Sequence, residues 1–389
     1  MRGKSKNITR QIRSASRVEA PQQSDELLAL DNELARERMP KELAVPVTRQ
    51  VTICAPGKEI EQPTLIQSRQ TRGAWEIELP SGAALGLPGR EGRRFTVDDL
   101  KRGTKANTHA EPFRPKWVDY LPHPKIGSRS QPLMRRLKGQ WVRPHYGVFG
   151  SDDRQVYFPS GYPWTCIGRI FVWNDFSKPN WAWSGSGVLV GGRVVLTAGH
   201  VAPRGSSNWA MQFIPAYFDG ASALGSGVSS WVSDYVSYAG DVSAWDMSVL
   251  RLYTPLGDTL GYFGAKTYDS GWQGGNYWTL AGYPGMVAGA NRPSRQMWFP
   301  IVDDDSDGDA DELEFYADST AGDSGGPVFG FWSGSPYVIG TASGGEINLE
   351  QYSYWAGPLF GVWAFEDDNV AAGGSAMVNL IRWARSNWL

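Results

Sequence analysis

The run Gly322-Asp323-Ser324-Gly325-Gly326-Pro327 sets one serine among glycines. A serine on such a sharp turn is an exposed nucleophile. The absence of neighbouring side chains lets backbone N–H groups approach and hold a developing oxyanion. A serine hydroxyl needs a base, and Leu196-Thr197-Ala198-Gly199-His200-Val201 offers one upstream. Between the two lies an acid that could orient that base, in Asp246-Met247-Ser248-Val249-Leu250-Arg251-Leu252. The histidines are His109, His123, His145 and His200, so past residue 146 a histidine base near neutral pH has to be His200.

The order His, Asp, Ser and the segments TAGHV, DMSVLRL and GDSGGPV resemble the trypsin/chymotrypsin superfamily. The bacterial V8-like (glutamyl endopeptidase) branch is similar in further stretches: Gly150-Ser151-Asp152-Asp153-Arg154, Tyr162-Pro163-Trp164, Ile167-Gly168, Gly261-Tyr262-Phe263-Gly264 and Gly282-Tyr283-Pro284-Gly285. The likeness covers roughly residues 147–389, and nothing before them shares it. It implies an all-β fold of two six-stranded antiparallel barrels with a C-terminal helix, residues 147–265 forming the first barrel and 266–389 the second barrel and helix.

The resemblance also assigns roles. Ser324 would attack the scissile carbonyl, His200 would take its proton, Asp246 would hold the ring, and the N–H groups of Gly322 and Ser324 would form the oxyanion hole. Asp318 and Ser319 fall where trypsin's specificity pocket has its floor and attracts Lys or Arg, so a preference for basic residues before the cut is one expectation, although V8-like chains carry Asp or Ser there without that preference. The place of the V8 family's glutamate-binding histidine falls on Ala342, which disfavours strict glutamyl specificity. Ser343, Gly344 and Gly345 would edge the pocket and pair with the substrate backbone. In trypsin-like enzymes a freshly cut N-terminus pairs with the acid before the nucleophile, so Val148 or its neighbour is the expected partner of Asp323.

Around these residues the chain is uneven. Residues 1–146 hold 27 Lys+Arg against 16 Asp+Glu, whereas 147–389 hold 11 against 24, so +11 and −13 combine to the overall −2. The basic part is therefore expected to be a prosegment that docks on the acidic protease by charge. The alternatives are a disordered or nucleic-acid-binding tail, or an interaction domain that is never removed. Absent aromatic-basic interleaving disfavours nucleic acid. A cut near 146 would release the mature domain; Arg136, Lys138 and Arg143 are earlier cut sites.

Cys54 and Cys166 fall on opposite sides of that boundary, so the mature part would lack a disulfide. No apolar run reaches the roughly 18 residues of a membrane span, and the basic N-terminus shows no apolar signal core. Family likeness nonetheless implies a secreted monomer acting on proteins or peptides, with no cofactor for catalysis.

Local patterns predict several elements. Residues 1–20 read as disordered. A helix is expected from Ser24 through Ala35, ending by Pro40, and short strands such as Val51–Cys54 and Ala74–Leu79 follow. Residues from Pro112 to Tyr146 read as linker. Cys166–Trp173 reads as a strand and Gly185–Thr197 as a hairpin turning at Gly191-Gly192. Ser375 opens a helix bearing Met377, Leu380, Ile381, Ala384 and Trp388 at helical spacing. The tryptophans, Trp181 and Trp183 included, read as core packing ahead of carbohydrate stacking.

One further constellation lies before the serine. Asp303, Asp305, Asp307, Gly308 and Glu314 fit a calcium-loop spacing, with Asp309 and Asp311 adding oxygens. The flanks are strand-like, so the expectation is a structural Ca2+ at a hairpin tip, or else a solvated acidic loop. A different class of function is then open: a silent protease homologue serving as a calcium-binding adhesion or binding module. The complete triad weighs against it.

Overall fold

The computed structural model describes residues 18–38, 48–54, 68–71, 74–80, 93–95, 109–129, 135–137, 140–142, 148–149, 152–348 (without 177, 179, 207, 226 and 239–243) and 366–388. The expected cut near 146 and the tail 1–17 lie outside them.

The strand Ile167–Trp173 is buried at every position, because one face fills a barrel and the other packs on the rest of the molecule. It pairs with Ala210–Pro215 on one side and Trp183–Leu189 on the other. The series continues through Val194–Ala198, Met247–Leu252 and Ser230–Tyr238, and the last returns to Ala210–Pro215 through Gln212↔Trp231 and Phe213↔Ser230. This is a closed six-stranded antiparallel barrel. The expected hairpin is present, its strands in register at Val188↔Leu196 and Leu189↔Val195.

The second half departs from a simple second barrel. It is an eleven-stranded sheet that runs from the acidic strand Asp303–Asp307 to Lys125–Arg129, with no closing pair among the described residues. Its strand Gly264–Lys266 pairs with Ser335–Asn348, so the handover between halves precedes Gly264 instead of following residue 265. Trp278 is fully buried here and packs with Tyr268, Trp272 and Trp332, while Trp164 and Trp173 serve the larger core cluster.

Strands from the N-terminal region take part in both halves. Arg93–Phe95 adds parallel to Ser230–Tyr238, His109–Ala110 pairs with Gly264–Lys266, and Lys125–Arg129 pairs with Gln155–Phe158. Thr48–Cys54, Ser68–Thr71 and Ala74–Pro80 form a separate three-stranded sheet that includes the strands expected at Val51–Cys54 and Ala74–Leu79. The expected linker after Pro112 is thus partly strand, and it carries specific anchors. Tyr120 donates its hydroxyl to the Gly334 carbonyl at 2.7 Å, and the Trp164 indole donates to Leu121 at 2.7 Å. Gln22 N–H donates to the Phe331 carbonyl at 2.7 Å, and Leu27 is fully buried.

Magnitudes separate the two modes of docking. A fully buried leucine stabilises by about 1.5–3 kcal/mol. Exposed pairs such as Arg36–Glu33, with side chains 80% and 40% accessible, contribute about 0–1 kcal/mol. Apolar burial and backbone pairing, more than net charge, hold these segments in place. The same contacts shorten the first helix to Ser24–Leu28, because Glu33 leaves it to bridge Tyr120.

The C-terminal helix Gly374–Asn387 buries Met377, Leu380, Ile381 and Ala384. Near its end the Arg385 guanidinium donates to the carbonyls of Val190, Phe263 and Glu111, tying the barrel, the sheet and an N-terminal strand together.

Candidate active site

The short turn Gly199–Val201 follows the strand Val194–Ala198 and places His200 at the barrel mouth, where its side chain remains 35% accessible. Asp246 precedes the neighbouring strand Met247–Leu252, and its side chain is fully buried. One carboxylate oxygen accepts the His200 backbone N–H at 2.8 Å and lies 3.5 Å from an Arg204 guanidinium nitrogen. The other takes His200 Nδ1 at 2.6 Å and the Ser343 hydroxyl at 2.6 Å. A carboxylate only accepts, so Nδ1 carries the hydrogen. In the neutral ring Nε2 is therefore left as the base.

Ser324 is brought to this mouth by the barrel itself. Ser186, in Trp183–Leu189, donates its N–H to the Ser324 carbonyl at 2.8 Å and its hydroxyl to the Gly322 carbonyl at 2.7 Å, and it accepts Tyr283 N–H at 2.8 Å. Thr197 then binds the Ser186 carbonyl at 2.8 Å. Gly325 is required here: at φ +84° its place leaves a Cβ 2.0 Å from Thr197 Oγ1. Among the described residues neither the Gly322 nor the Ser324 N–H is spent on another acceptor, so both remain for an oxyanion.

Ser186 and Arg204 were not singled out in the sequence. A serine inside a strand and an arginine after a histidine turn carry no local signal of their pairing. Ser343 was expected at the pocket edge, yet its hydroxyl binds Asp246. Gly345 lies in Ser335–Asn348 opposite Asn369, and beyond Ala342 the other edge of that strand has no strand partner among the described residues.

One expectation requires correction. Asp318 is 1% accessible, with one oxygen accepting Phe149 N–H and the other Asp153 N–H, both at 2.8 Å. Burial pushes its carboxyl up, and these two N–H groups pull it back. A carboxylate so engaged clamps the segment 149–153 and does not stand open at a pocket floor for a substrate Arg or Lys; Ser319 beside it is half-buried. In this uncut chain the buried Asp323 pairs with the Arg154 guanidinium at 3.3 Å, while Val148 precedes the Phe149 that binds Asp318.

The acidic stretch forms a hairpin, with Asp303–Asp307 and Ala310–Phe315 turning at Gly308 and Asp309. Strand geometry spreads the acids along a ribbon, and Glu314 sits opposite Asp303 instead of closing a loop. Among the described residues no three acidic, histidine or cysteine side chains converge to hold an ion. Asp304 and Asp307 instead accept from Ser270 and the Trp245 indole, and Asp309 accepts Ala376 N–H through its carbonyl.

Glu314 is pushed up to about 8, foremost by burial and then by the hydrogen bond and charge of Asp368. The folded state therefore holds this proton more tightly than the unfolded chain, whose ordinary value is 4.5. Stability from this group is complete below that value and lost as pH rises towards 8. Glu314→Gln is expected to raise the melting temperature at pH 9 and leave it nearly unchanged at pH 5. Equal shifts at both pH values would contradict the shared proton.

The sequence comparison agrees with the fold and the site: residues 174–356 match the family model described as Trypsin. A curated relative, the glutamyl endopeptidase of Bacillus licheniformis, is 28% identical over 209 residues, covering 47% of this chain and 54% of that protein. The chain thus spans about half the length of the curated relative it matches. Among solved structures, a Glu endopeptidase in complex with MPD aligns at 20% identity with a TM-score of 0.46, over 62% of this chain and 100% of that one. The protease Anisep from Arthrobacter nicotinovorans aligns at 19% identity with a TM-score of 0.38, over 57% and 93%. No described helix is long and apolar enough to cross a membrane.

Proposed function

We propose that the protein is a serine endopeptidase that hydrolyses peptide bonds of protein or peptide substrates outside the cell. His200 Nε2 takes the Ser324 proton, Ser324 Oγ bonds to the scissile carbonyl carbon, and the oxyanion rests on the N–H groups of Gly322 and Ser324. His200 then returns the proton to the leaving amine, leaving an acyl-enzyme that water hydrolyses by the same steps. The observation that carries the reading is the buried Asp246 holding His200 by both its ring and its backbone, with Ser343 as a further donor. The open edge past Ala342 suits a substrate strand.

The relative's name speaks of glutamyl substrates, but Ala342 stands at the place of that branch's histidine, and Asp318 is engaged elsewhere. A fluorophosphonate probe is expected to tag Ser324, and Ser324→Ala to abolish both the tag and peptide hydrolysis. No tag on the wild-type chain, cut or uncut, would favour the silent homologue.

A further inference from the structure

The segment before Gln155–Phe158 is fastened to the nucleophile loop more firmly than a strand lead-in requires. Arg154 is 2% accessible, and its guanidinium grips Asp152 with two nitrogens, Nε at 3.0 Å and one Nη at 2.9 Å. The remaining Nη donates to the Thr320 hydroxyl at 2.7 Å and to Asp323 at 3.3 Å. Thr320 N–H donates to the same Asp323 oxygen at 3.0 Å, closing a ring around the loop that carries Gly322 and Ser324. Two residues upstream, Asp153 N–H and Phe149 N–H hold Asp318 at the start of that loop.

A buried carboxylate needs a cation, and a free terminal ammonium is one way to supply it. Here an internal side chain 169 positions earlier supplies it. Asp152 gives Arg154 a fixed bidentate seat, which orients the remaining nitrogen towards Asp323. Burial pushes Asp323 up to about 6, with Arg154 drawing it back, so the carboxylate form is available at neutral pH.

We propose that Arg154 is the positioning residue of the oxyanion loop, acting through Asp323, so that the loop is ordered in the uncut chain without a new N-terminus. This rests on the serine-peptidase reading above. The device explains why segments before residue 147 can remain paired into the second sheet, as Lys125–Arg129 is.

The test uses the full-length chain, labelled with a fluorophosphonate probe before and after a cut within residues 143–147, each form checked by mass and by N-terminal sequencing. The uncut wild-type chain is expected to label Ser324 within a few-fold of the rate of the cut form. Arg154→Gln is expected to slow labelling and kcat about a hundredfold, the scale of losing one oxyanion donor, with KM little changed. Arg154→Lys, which keeps the charge, restores part of that rate. Labelling that appears only after the cut overturns the proposal and keeps the enzyme, whereas no labelling of either form overturns the enzyme itself. If Arg154→Gln fails to fold, the comparison of cut and uncut wild type decides. If it folds and labels at the wild-type rate, Arg154 is structural only and the proposal fails.

Discussion

Asp246→Asn is expected to lower kcat about 10⁴-fold, the scale of a lost tautomer in Ser-His-Asp triads, while the chain keeps its fold. Donors converge on Asp246 from His200 N–H, His200 Nδ1–H, the Ser343 hydroxyl and Arg204. Asparagine replaces one accepting oxygen with a donating nitrogen. If that nitrogen faces the ring, Nδ1 becomes the acceptor and the hydrogen moves to Nε2, where it can no longer receive the Ser324 proton. If it faces the backbone, His200 N–H loses its acceptor and the turn Gly199–Val201 shifts. Both arrangements cost the base. The variant's kcat on a peptide substrate, read beside a thermal melt, checks this. A loss below tenfold in a folded variant would mean that Asp246 does not govern the ring.

Gly322→Ala is the second large effect. Gly322 has φ +107°, a region that L side chains rarely adopt, and an added Cβ would lie 2.5 Å from the Tyr283 carbonyl and 3.0 Å from Gly285 N. These neighbours are backbone, so they cannot swing aside as a flexible side-chain end would. The peptide at 322 must rotate, and its N–H turns away from the oxyanion position. A loss of about 10²–10³ in kcat is expected, that of one donor, with KM less affected. The measurement is kcat and KM, together with the rate of fluorophosphonate labelling. Wild-type kcat would show that Gly322 N–H does not contribute.

Much of the site was legible because its parts are local. Ser324 sits in a glycine run, His200 at the end of a hairpin and Asp246 before a strand, and each motif is readable within a few residues. The C-terminal helix was equally legible from its spacing, and four of its five expected apolar positions, Met377, Leu380, Ile381 and Ala384, are buried within it, with Trp388 just past its end. The acidic stretch was expected as a hairpin tip or an acidic loop between strand-like flanks, whereas Asp303–Asp307 is itself strand and the turn falls at Gly308 and Asp309.

What stayed hidden is long-range. His109–Ala110 is a strand of two residues, too short for any periodicity, and only its partner Gly264–Lys266 makes it one. Asp318 reads as a pocket floor by counting back from the serine, but two backbone N–H groups from the segment 149–153 claim it, and backbone donors leave no mark in a sequence. Asp323 announced by its type that it needs a cation. Which cation could be settled only when the fold brought Arg154 within reach. The sequence by itself singled out the candidate residues of the chemistry and the closed barrel's local strands, because nucleophile turns, hairpins and helix stripes are written within a few positions. Tertiary structure decided the partners of the buried carboxylates and the incorporation of the N-terminal strands, because sheet pairing and burial join residues far apart in the chain, where type alone does not choose among donors.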